Sequence, residues 1–94
     1  MFEICGTGTD TIALRGRFDA SQVAAATAIF EQVSDSCAVD FADLTYISSA
    51  GLGLLFATQR RLVDVGMELR LINLNPHIRE IFQIAGFDRI FDID

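Results

Sequence analysis

An α/β fold, a small mixed β-sheet with helices packed mainly on one face, is predicted by three features of the sequence. Strand-like and helix-like segments alternate from residue 10 onward. The helical segments carry apolar stripes, at Val23, Leu55 and Ile81, that need a common core. The chain has 94 residues, 51% of them apolar, and no Gly/Ser/Pro-rich stretch or charge run, so residues 1–94 read as one domain.

Phe2, Ile4 and Thr7 suggest a first strand, and Gly6, Gly8 and Asp10 supply a turn into a second. That second strand alternates through Thr11, Ile12, Ala13, Leu14 and Arg15, and Gly16 is expected to end it. Val23, Ala26, Phe30 and Val33 fall at offsets of 0, 3, 7 and 10, which predicts a helix from about Ser21 to Val33. Asp19 and Ser21 are its candidate caps.

Cys37 to Phe41 fits a buried central strand, followed by a loop at Asp43. Leu52, Leu55, Phe56, Leu62 and Val63 recur at helical spacing, and Gly66 can close that helix with a positive φ. Ser49 therefore stands where strand or loop turns into helix. Met67, Leu69 and Leu71 read as the next strand. Asn75-Pro76 provides a cap and a favoured first helical residue. The third helix has the stripe Ile78, Ile81, Phe82 and Ala85 with Gly86 as its stop, and Phe87 to Phe91 is expected to form a last edge strand.

Charge narrows the function. Thirteen acidic against seven basic residues give a net charge of -6, which repels a nucleic-acid backbone. The adjacent pair Arg60 and Arg61 fits a solvated helix face, and direct DNA binding is not expected. Cys5 and Cys37 sit in no CxxC or His/Cys cluster, so neither a disulfide framework nor a metal site is indicated, and a reducing, cytoplasmic setting is expected. No transmembrane segment is expected, since polar residues interrupt Ala50 to Asp64.

Enzymatic motifs are not matched. Ser48-Ser49-Ala50-Gly51-Leu52-Gly53 is not GxSxG, GxxxxGK[ST] is missing, and Gly6-Thr7-Gly8 lacks the third glycine and preceding strand of a dinucleotide loop. His77, the single histidine, follows Pro76 and reads as a solvated or capping residue. No cofactor is called for.

The run from Asp40 through Asp43, Ser48, Ser49, Ala50 and Gly51 to Leu55 resembles the central signature of STAS domains, in particular the stand-alone bacterial anti-sigma-factor antagonists. The likeness extends to Gly16-Arg17-Phe18-Asp19 and to Asn73 through Gly86, so it spans almost the whole chain. It implies a small STAS-like mixed sheet with helices on one side and a switch serine feeding the second long helix. Alignment on Gly51 places that serine at Ser49. Many relatives have aspartate before it and serine or threonine after it, where this chain has Ser48 and Ala50.

The resemblance implies a protein-binding switch, not an enzyme. Unphosphorylated, the chain would sequester an anti-sigma factor with serine-kinase activity; phosphorylated at Ser49, it would release it, and a serine phosphatase would reset it. ATP and magnesium would belong to the kinase. Asp19, Asp43, Ser48, Ser49, Ala50 and Gly51 are the candidate partner-binding residues. The competing local reading makes Ser48 or Ser49 a helix cap, Asp43 a turn residue, and Gly51 and Gly53 points of close approach between helix and sheet. Ser48 is the rival acceptor. Two other roles fit the same resemblance: a STAS-like accessory subunit of a lipid ABC transporter, and a STAS regulatory module of another signalling assembly.

Overall fold

In a computed structural model, residues 2–6, 11–33 and 35–93 are described. In chain order they form β1 (Phe2–Gly6), β2 (Thr11–Phe18), α1 (Val23–Phe30), β3 (Cys37–Ile47), α2 (Ser49–Val63), β4 (Leu69–Ile72), α3 (Pro76–Ile84) and β5 (Asp92–Ile93). One five-stranded sheet has the order β1-β2-β3-β4-β5. β1 runs antiparallel to β2, as the expected hairpin requires, while β2, β3, β4 and β5 are parallel neighbours with helical segments between them. Of the expected turn residues, Gly6 is the last residue of β1, while Gly8 and Asp10, with Thr7 of the expected first strand, lie outside the described residues.

Strand alternation shows which face the helices cover. Ile12, Leu14 and Phe18 of β2, Val39, Phe41, Leu44 and Ile47 of β3, and Leu69 and Leu71 of β4 are buried. Arg15, Arg17, Asp43 and Arg70 are exposed, and cross-strand register pairs Arg15 with Asp43, Arg17 with Tyr46 and Arg70 with Asp92. One face is therefore apolar and covered, and the other is a polar face in water. On that open face Arg15 Nε lies 3.5 Å from Asp43 Oδ2, and the Arg17 guanidinium stacks 4.3 Å from the Tyr46 ring centre.

Three boundaries differ from expectation. Asp43 is not in a loop: β3 continues through it and takes up extra residues as irregularities against β2, between Ala13 and Arg15 and again between Gly16 and Arg17. Asp40 Oδ1 accepts the Ala42 N–H at 2.9 Å at the first of these, and Gly16, with φ of 84°, belongs to the second and does not end the strand. The first helix is shorter than its stripe. Ala20–Gln22 is wound as a 3-10 turn capped by Asp19, and at the other end the Phe30 carbonyl accepts from Val33 N and from Arg61 Nη2 of α2. Finally, Phe87–Arg89 is a 3-10 turn, and the edge strand is only Asp92–Ile93.

That turn forms because its rings fill the core. Phe82 meets Phe41 edge-on at 5.5 Å and Phe87 edge-on at 5.7 Å, and Phe87 lies 5.4 Å from Phe91. Gln59 is a buried polar residue with both amide ends satisfied: Oε1 accepts from Leu69 N at 2.7 Å, and Nε2 donates to the Ile90 carbonyl at 3.0 Å. It ties α2 to the start of β4 and to the segment leading into β5. Asn75 does the same for α3, capping Ile78 N at 2.8 Å while Nδ2 donates to the Leu44 carbonyl at 3.1 Å.

Candidate functional site

Parallel strands bring their carboxyl ends to one rim, where connecting loops meet helix starts. Phe18, the last residue of β2, is the register partner of Ile47, the last residue of β3. Ser48 N donates to the Phe18 carbonyl at 2.9 Å, which extends that pairing one step beyond the strand. Asp19 follows Phe18 as Ser48 follows Ile47, so Asp19 and the Ser48–Gly51 turn occupy adjacent loops.

The two serines have different jobs. Ser48 has extended backbone (φ -84°, ψ 167°) and is the N-cap of α2; its Oγ accepts the Gly51 N–H at 3.2 Å, and its carbonyl accepts from Leu52 N. Ser49 is the first helical residue and is exposed, and its hydroxyl makes no hydrogen bond among the described residues. Ala50 is exposed beside it. Of the first three N–H groups of the helix, that of Gly51 is taken by Ser48, which leaves those of Ser49 and Ala50 facing outward at the positive end of a 15-residue helix.

Gly51 sets the height of this turn. A Cβ there would come 3.0 Å from Ile47 Cγ1 and 3.3 Å from the Phe18 ring, and both side chains are buried. A larger residue would make Ile47 or Phe18 give by a few tenths of an ångström for α2 to start this close to the ends of β2 and β3. The serines are thus held on rigid backbone.

Asp19 is fixed as well. Its Oδ1 accepts both the N–H and the hydroxyl of Ser21. That hydroxyl chiefly holds the carboxyl below its ordinary value; desolvation, the next influence, opposes it, and the Ser21 N–H and the charge of Arg17 reinforce it. The group is a settled anion on the rim at neutral pH.

Asp43 is the one candidate that the fold does not bring to this rim. It stands inside β3, its side chain 67% exposed and paired with Arg15 on the open sheet face. Leu44 to Ile47 lie between it and Ser48, a separation of roughly 16 Å along extended chain. Asp19, Ser48, Ser49, Ala50 and Gly51 are brought together. Asn73 was not singled out from the sequence; its φ of 60° is carried by a residue type that tolerates the left-handed region, and its Nδ2 donates to Asp40 Oδ1 at 3.1 Å. No sequence pattern marks that contact, because it depends on the register of β3 with β4.

Comparison with known proteins places this geometry among relatives. The family described as Mlab, STAS domain matches residues 6–92. BtrV of Bordetella bronchiseptica, named as a candidate anti-sigma factor antagonist, is 46% identical over 55 residues, which is 58% of this chain and 47% of BtrV. The matched segment therefore spans about half of that relative. The Bacillus anti-sigma factor antagonist SpoIIAA, in its unphosphorylated form, superposes with a TM-score of 0.73 at 24% identity over 100% of this chain and 88% of that one; its phosphorylated form has also been solved and gives 0.71. An anti-sigma factor antagonist from Mycobacterium paratuberculosis gives 0.82 at 17% identity, covering 99% of this chain and 83% of the other. At these identities the structural likeness speaks for the fold.

Proposed function

The chain belongs to the STAS domain family, and from that premise we propose that it is an anti-sigma-factor antagonist whose partner binding is switched by phosphorylation of Ser49. The division of labour between the serines carries the reading. Ser48 is spent on capping α2, while Ser49 offers an exposed hydroxyl that is unbonded among the described residues.

A phosphate on Ser49 meets the outward N–H groups of Ser49 and Ala50 and the positive helix end, so the fold accommodates it. It adds about -1.5 to -2 charge to the contact surface, next to the settled anion of Asp19. A partner fitted to a neutral hydroxyl then loses contacts and meets repulsion, and binding is switched off without unfolding. The chain is the substrate and regulator; the transferred phosphoryl group comes from ATP bound by a serine-kinase anti-sigma factor, and a serine phosphatase removes it. SpoIIAA, solved both with and without phosphate, supports a switch of this kind on this fold.

Native pull-down followed by incubation of the captured kinase with ATP tests the reading. Recovery of a serine-kinase anti-sigma factor, and a single phosphate placed on Ser49 by peptide mass spectrometry, is the expected result. Dominant modification of Ser48 overturns the acceptor assignment. Capture of a transporter ATPase with its permease makes the chain an accessory transport subunit instead.

A further inference from the structure

Gly53 has no structural reason to be glycine. Gly16, Gly66 and Gly86 adopt positive φ, and Gly51 abuts Ile47 and Phe18. Gly53 lies inside α2 without a positive φ, and a Cβ built on it meets nothing within 4 Å. A glycine within a helix lowers its stability relative to alanine, and the packing of the described residues returns nothing for that loss.

The residue is exposed and stands four positions after Ser49, one turn along the same helix face. Ser49 is itself held on rigid helical backbone by the Ser48 cap and the close seat of Gly51. A kinase that modifies it must therefore come down onto a convex helix surface; it has no loose loop to draw into its active site. Whatever stands one turn away is within its footprint.

Resting on the reading of Ser49 above, we infer that Gly53 is a specificity-determining contact: the ATP-binding serine-kinase anti-sigma factor packs main chain or a small side chain against α2 at this point, at a distance that admits no Cβ. The exposed Ala50 keeps the surface between the two positions low. The missing side chain serves the complex at the expense of the free protein, so the two can be pulled apart by substitution.

The test titrates the purified serine-kinase anti-sigma factor of the source organism, loaded with ADP, with wild-type protein, Gly53→Ala and Gly53→Leu. Ala42→Ser, at an exposed position in β3, serves as the control. Gly53→Ala is expected to raise Tm by about 3–6 °C and yet to weaken Kd by about tenfold, a combination that loss of folding cannot produce. Gly53→Leu should weaken it by about a hundredfold or more and, in a parallel assay with ATP in place of ADP, slow Ser49 phosphorylation, with Ala42→Ser unchanged. Wild-type affinity and phosphorylation rate for folded Gly53→Leu overturn this inference and leave the Ser49 reading in place. A wild-type protein that neither binds the kinase nor accepts phosphate removes both.

Discussion

Under α3, the rings of Phe41, Phe82, Phe87 and Phe91 lean on one another, and Phe41 and Phe82 are wholly shielded from water. At the start of α2 the backbone is fixed just as firmly, by Gly51 against Phe18 and Ile47 and by the Ser48 cap, yet Ser49 and Ala50 are left in water. In the first region the side chains are the structure. In the second the backbone carries side chains that the fold does not itself use. Substitutions should therefore act on stability in one region and on binding in the other.

The largest effect is expected at Phe82. Phe82→Ala opens a cavity between β3 and the Phe87 turn and should cost about 3–5 kcal/mol in chemical denaturation, enough to leave a domain of this size marginal. Gly51→Ala comes next. The added methyl crowds the buried side chains of Ile47 and Phe18, and about 1–2 kcal/mol should be lost although alanine is the better helix former. An unchanged or raised Tm for Gly51→Ala would mean that α2 is not seated as tightly as described, and the contrast between the regions would fail.

The two serines sharpen the contrast. Ser48→Ala removes the acceptor of the Gly51 N–H and should cost about 1 kcal/mol. Ser49→Ala removes no hydrogen bond among the described residues and should stay within about 0.5 kcal/mol of wild type. Thermal melts of the pair decide this, and equal losses would show that the two hydroxyls share the cap.

Asp19 gives the smallest effect, present at neutral pH and lost in acid. Because its folded carboxyl is held below the ordinary value of 3.8, the unfolded chain takes up the proton first as pH falls. Its contribution is complete above that value and is lost as pH drops through the folded one. Asp19→Asn should lower Tm slightly at pH 7, with the amide oxygen still accepting from Ser21 N, and should flatten the fall of Tm across that window so that variant and wild type converge below it. A Tm difference that is instead constant with pH would assign Asp19 a role other than the one its hydrogen bonds describe.

What could be read from the sequence divides along the same line. The start of α2 was legible because its chemistry is local: a cap, an adjacent serine and a glycine within four residues need no knowledge of the rest of the chain. Asn75-Pro76 was legible for the same reason. Asp43 was misplaced because the irregularity that holds it in β3 exists only in the pairing with β2, and Gly16 was taken for a strand end when its positive φ serves that pairing. Phe87 to Phe91 reads equally well as an edge strand or as a turn lining a core, and the contacts of Phe82 and Phe87 decided it. The adjacency of Asp19 and Ser48 follows from strand order, which spacing alone does not encode.

The central claim is that Ser49 is presented for binding and modification and not for stability. Isothermal titration of the cognate serine-kinase anti-sigma factor with Ser49→Asp tests it most directly, with melts run on the same samples. Aspartate suits the first turn of a helix, so the variant should melt at or near the wild-type temperature while its affinity falls by about tenfold or more. Wild-type affinity for the folded aspartate variant, matched by equally tight binding of protein phosphorylated at Ser49, would contradict the account.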